Sequence, residues 1–202
     1  MRKLYPVLAT IVPLMCASAA DDKWNVTAEC QMVVLPQKLV LPLLPGLNDD
    51  AKIGGVVAKL QELITNGEAT LAAHLVAKSN ARVRTITETT EELRYATEHA
   101  LPHLPANAPE NIEVLKAWPF VGITPTAFET RNMGATFEIE PVVLGDGKAL
   151  SVGVVMQHVR FLRWLKTDAG VLANGKHLFI EQPVFHTAKN TSSLTVGKAS
   201  GP

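Results

Sequence analysis

The sequence predicts an α+β fold that is mainly β, with antiparallel sheets and one packed amphipathic helix. Three observations lead there. Trp24, Val26, Ala28, Cys30, Met32 and Val34 alternate with Asn25, Thr27, Glu29 and Gln31, the period of a half-buried strand. Ile53, Val56, Val57, Leu60, Leu63 and Ile64 recur at helical spacing between Ala51 and Asn66. In the C-terminal third, Ala135, Phe137 and Ile139 alternate with Thr136, Glu138 and Glu140. The turn signal Gly145-Asp146-Gly147 follows, and then a second alternating run, Leu150 to Phe161; together they form a β-hairpin.

The chain begins differently. Arg2 and Lys3 precede an apolar stretch from Leu4 to Met15, and Ala17-Ser18-Ala19-Ala20 supplies small residues, the three parts of a secretory signal. The expectation is a signal peptide over residues 1–20, cleaved near Ala19 or Ala20, and one further domain over residues 21–202. The apolar stretch falls short of the roughly 20 residues of a membrane-spanning helix, and Pro6 and Pro13 interrupt it. Processing removes two basic residues and Cys16, so the formally neutral chain becomes slightly acidic and Cys30 is left as a single thiol. Such a thiol is either buried or paired between molecules; its place on the Val26–Met32 face predicts burial. Roughly 182 residues remain, enough for one domain with a core of its own.

The elements follow in order. After the first strand, Pro36, Pro42 and Pro45 break the chain into an apolar connection. Asn48-Asp49-Asp50 can cap the helix and Gly67 can stop it, while Gly54-Gly55 weakens its first turn. Leu71–Ala77 and Ala81–Thr90 read as strands around a turn at Lys78-Ser79-Asn80. Residues 98–127 read as a proline-rich loop. Leu178–Thr187 and Ser193–Val196 complete the β content.

Chemistry-bearing patterns are weak. A balanced charge implies no basic face, so nucleic acid is not a predicted partner. His99 and His103 stand four apart, the spacing of a helical zinc pair, but Pro102 and Pro105 oppose a helix there. His158, His177 and His186 lie in strand patterns. Glu138 and Glu140 read as a solvated strand face, and Ser151 lacks the glycines of a nucleophile elbow. No catalytic, cofactor-binding or metal-ligating residue is assigned. The expectation is a protein that is not an enzyme, with no cofactor and no small-molecule substrate.

The order of the β segments carries a resemblance. Phe128-Glu129-Thr130-Arg131-Asn132-Met133-Gly134-Ala135-Thr136-Phe137-Glu138-Ile139-Glu140-Pro141 resembles the core of bacterial secretins, the outer-membrane pore proteins of type II and type III secretion systems. The turn at Asp146-Gly147-Lys148, the strand to Val159, the segment Gln182-Pro183-Val184-Phe185-His186-Thr187 and the closing Thr191–Val196 stretch are similar in kind and order. Upstream, Val26–Val34, the helix before Gly67, and Glu68–Val76 followed by Lys78–Arg84 are similar as well. Tyr95-Ala96-Thr97-Glu98 is similar to a Tyr-Pro-Thr-Glu stretch of secretin-like exported proteins.

The resemblance implies a component of an outer-membrane protein secretion or transport assembly, a homo-oligomeric ring in a Gram-negative-type bacterium. Its partners would be copies of itself or other secretion-system subunits, with contact to the outer membrane. The alternative is a soluble periplasmic structural or protein-binding module that has the secretin fold without the channel. The resemblance also implies that Phe128, Gly134, Phe137, Ile139, Pro141, Gly147 and Pro183 shape the core sheet and its turns. In secretins the membrane and gate hairpins fall in the place of residues 98–127. Ala117 to Ile123 is too short for a hairpin of membrane strands, which take roughly 9–11 residues each.

Overall fold

The computed structural model describes residues 6–11, 15–20, 23–47, 49, 51–101, 110–117, 122–145, 147–172 and 174–197. Most of the described residues are strand, in two antiparallel sheets, and the helices are few and short, which is the α+β, mainly β class. Two compact units result. Unit 1 holds residues 1–90, 134–158 and 188–202; unit 2 holds residues 91–133 and 159–187.

In unit 1, strand β3 (Lys23–Pro36) pairs antiparallel along one edge with β4 (Thr70–Asn80). The segments Pro6–Ile11 (β1) and Met15–Ala20 (β2) also pair with β3. Residues 6–11 and 15–20 of the expected signal peptide thus lie along this strand. The second sheet has the order β5-β6-β7-β8, formed by Thr85–Ala100 (β5), Thr124–Leu144 (β6), Ala149–Val171 (β7) and His177–Gly197 (β8). Within unit 1 the two sheets face each other. Trp24, Val26, Ala28, Cys30 and Met32 of β3, with Ala73, Leu75 and Ala77 of β4, share one buried cluster with Ala135, Phe137, Ile139, Leu150, Val152, Val154 and Met156. The period-2 patterns are the inner faces of this sandwich.

β3 has a second face. Its polar residues end at Gln31, whose side-chain oxygen accepts from Gln61 Nε2 at 3.1 Å on α3 (Ile53–Thr65). Beyond it Val33 and Leu35 are buried with Val56, Leu60 and Leu63 of that helix and with Val40 of the short helix α1 (Gln37–Val40). A register shift between Met32 and Val33 adds one residue on β4 at this point, so β4 follows the change of partner layer. α3 therefore covers only the apolar end of β3. The expected cap does not reach the helix: Asp49 accepts from the Ala51 backbone N–H at 3.1 Å and pairs with Lys52 at 2.7 Å, but α3 begins at Ile53 with Lys52 at its N-cap position and no side-chain capping bond. The proline-broken connection also holds α2 (Leu44–Leu47).

Two boundaries differ from expectation. The turn after β4 sits at residues 81–84 rather than at Lys78–Asn80; Arg82 takes a left-handed φ of 67° and donates its N–H to the Pro141 carbonyl. Residues 98–127 are not one loop either. β5 continues to Ala100, α4 (Ile112–Lys116) is capped by the Asn111 side chain, and β6 begins at Thr124. Residues 102–109 and 118–121 lie outside the described residues, as do His103 and Asp146.

Candidate functional site

Unit 2 holds the parts of the four long strands within residues 91–133 and 159–187, together with α4. β6 and β7 are strictly alternating only in their unit 1 halves, Ala135–Pro141 and Leu150–Met156. From Thr124 to Arg131, and from Leu162 to Thr167, side chains on both faces are mostly exposed. The exposed apolar residues here include Phe128, Leu162, Trp164, Leu165, Val171 and Phe179. The segments are long: each of the four exceeds or matches the roughly 9–11 residues of a tilted membrane strand. The segment Ala117 to Ile123, expected to be too short for a membrane hairpin, lies mostly outside the described residues, and the long strands here are continuations of β5 to β8.

One face carries an aromatic cluster. Tyr95 of β5 lies 5.9 Å from Phe185 of β8, ring centre to ring centre, and Phe161 of β7 lies 6.4 Å from Phe185, edge to face. Arg131 of β6 places its guanidinium 5.9 Å above the Phe185 ring, and the Tyr95 hydroxyl donates to Glu129 at 3.2 Å. Every strand thus contributes to one aromatic and charged cluster. Burial of the phenol and its bond to Glu129 raise the Tyr95 pKa above its ordinary value.

Near the β7–β8 turn a second group forms. Asp168 bonds His177 Nδ1 at 2.8 Å and accepts the Gly170 N–H at 2.9 Å. His177 stacks on Phe179, and Lys166 stands 4.1 Å above the same ring. The Gly170 N–H and His177 hold the Asp168 carboxyl below its ordinary pKa.

The residues named from sequence are dispersed. Phe137, Ile139 and Pro141 are fully buried in the sandwich, as the resemblance implies. Gly134 has a φ of 116° and leaves no room for a Cβ beside the Thr89 carbonyl, while Gly147 turns the chain with a φ of 74°. Phe128 is a correction: it is 49% exposed, with the Arg94 guanidinium 4.5 Å above its ring, so it belongs to the surface of the sheet and not to its core. Pro183 is half-buried on β8. Glu138 of β6 is half-buried and pairs at 2.6 Å with Arg84 of the turn after β4, and Glu140 is exposed. His99 lies on β5. Among the described residues no three His, Cys, Asp or Glu side chains converge on a metal-sized space.

Two edges of this sheet, β5 and β8, have a strand on one side only among the described residues. Among those residues no helix is long and apolar enough to cross a membrane, which does not bear on strands. Comparisons with protein-family models, with curated proteins and with solved structures find no match to this chain.

Proposed function

We propose that this chain is an exported, non-catalytic, secretin-like assembly module that joins copies of itself edge to edge through β5 and β8. One observation carries the reading: a four-stranded sheet of long strands ends in two edges that are unpaired among the described residues. Each edge is a row of unmet backbone donors and acceptors, and proteins that keep such edges long cover them, shield them or close them by association. Antiparallel addition of β8 from one copy to β5 of the next continues the sheet and generates a ring if the rotation closes. Export by residues 1–20 and a periplasmic or outer-membrane location complete the reading, with other secretion-system subunits as further partners.

Cysteine scanning tests it. Single cysteines along Glu91–Ala100 combined with single cysteines along His177–Thr187 should give intermolecular disulfides only at alternate positions, the period of a strand pair. Absence of any ladder in the exported protein, at any concentration, removes the assembly reading.

A second reading is favoured by one contact. Tyr95 and Phe185 come from opposite edge strands, which lie roughly 14 Å apart in a flat sheet at about 4.8 Å per strand. Side chains stand nearly perpendicular to a sheet, so their meeting requires strong coiling. A wide barrel is nearly flat over four strands. The coiling therefore supports the soluble periplasmic module without a channel, and a monomeric mass in sedimentation with and without lipid would select it.

A further inference from the structure

Unit 1 carries a cavity of about 180 Å3 walled by three strands: Met32 of β3, Met156, Gln157 and His158 of β7, and Lys189 and Asn190 of β8. We propose that it binds a short aliphatic carboxylate, the head group at Lys189 and the tail over the two methionines. The wall contains no acidic residue, and Lys189 makes no ion pair among the described residues, so an entering carboxylate meets a cation that none of their carboxylates occupies. The carboxamides of Gln157 and Asn190 add neutral N–H donors beside it. Met32 and Met156 are buried and belong to the core, and their flexible, polarisable thioethers mould to an alkyl chain. The volume equals that of about six waters at roughly 30 Å3 each, which suits a chain of a few carbons and excludes a long acyl tail.

Two thioethers and an imidazole are also ligands of a soft cation such as silver(I). The Lys189 ammonium on the same wall repels a cation and attracts an anion, and this sign decides between the two. A free short-chain acid and the C-terminal carboxylate of a polypeptide present the same chemistry.

The test is a titration of the whole chain followed through the methyl signals of Met32 and Met156. Butyrate should shift both in a saturable way, and butylamine, with a like tail and opposite charge, should not. K189Q should weaken butyrate binding about tenfold, while K59Q, a charge change on α3, should leave it unchanged. A peptide ending in a free aliphatic carboxylate that competes with butyrate, while its amide does not, places the source in a polypeptide terminus; butyrate binding without such competition places it in a free acid. No saturable shift with butyrate, an equal response to butylamine, an unaffected K189Q, or saturation by silver(I) alone overturns the proposal.

Discussion

Tyr95 and Phe185 stand ring to ring at 5.9 Å, tilted by 54°, although β6 and β7 separate their strands in the sheet. The pair ties the first strand of unit 2 to the last, and Phe161 and Arg131 fill the space between. Phe185→Ala should therefore destabilise the protein by about 2 kcal/mol, below the cost of emptying a deep core because the ring is half-buried. A double-mutant cycle of Tyr95→Ala with Phe185→Ala should return a coupling of roughly 0.5–1.5 kcal/mol. Additive effects in urea unfolding would show that the two rings do not hold the strands together.

Gly134 occupies a backbone position that other residues adopt only with strain, and a Cβ there would collide with the Thr89 carbonyl. Gly134→Ala should cost about 3 kcal/mol or prevent folding. Gly153→Ala is the control: its new Cβ would meet the Glu140 carbonyl at 3.7 Å, an ordinary contact. Thermal unfolding of the two variants should separate them clearly.

α3 retains two glycines whose added methyl groups would meet nothing within 4 Å. Gly54→Ala and Gly55→Ala should each stabilise the chain by roughly 0.5–1 kcal/mol through helix propensity alone. An unchanged denaturation midpoint in both would mean that the first turn of α3 is not helical in solution.

Much of this fold is legible where burial is one-sided. The runs Trp24–Met32, Ala135–Ile139 and Leu150–Met156 alternate because one face of each meets the sandwich core, and the structure puts the expected residues there. The same logic fails for Glu91–Ala100 and Thr124–Met133. In Thr124–Met133 both faces are largely exposed and no burial imposes a period; in Glu91–Ala100 the half-buried face holds Leu93, Tyr95, Thr97 and His99, whose mixed polarity masks the period in the sequence. The turn at residues 81–84 was equally silent, since Arg82 rather than glycine or asparagine takes the left-handed position. Nor could spacing bring Tyr95 to Phe185. Ninety residues of sequence separate them, and only the coiling of the sheet joins them.

Cys30 is fully buried beneath the second sheet, and burial pushes its thiol up to about 12. The thiolate is the reactive form, so alkylation at neutral pH should be negligible in the folded protein and rapid in denaturant. Burial leaves no route to an intermolecular disulfide without unfolding. Rapid labelling under native conditions would show that β3 opens locally. Inertness also leaves the engineered cysteines of the edge-scanning experiment free of background.

The Asp168 carboxyl titrates below its ordinary value because the Gly170 N–H and His177 favour its charged form. A depressed folded-state pKa gives stability that is present above the ordinary aspartate range and is lost as pH falls through the folded value. The turn between β7 and β8 should therefore loosen on acidification. Amide exchange at Gly170, corrected for intrinsic pH effects, should speed up in Asp168→Asn at neutral pH and differ little from wild type in strong acid.

Thr89 and Thr90 lie beside Gly134, and His158 and residues 188–190 border the same cavity. The chain therefore leaves unit 1 and returns to it at neighbouring points, twice. Unit 2 is a pair of chain excursions, and each could be shortened to a tight turn without rerouting the sandwich. Their length is adjustable: two residues added to each limb of an excursion lengthen it by roughly 6.8 Å and reverse no side chain. The reach of the exposed sheet can thus vary by small insertions while the buried layers stay as they are.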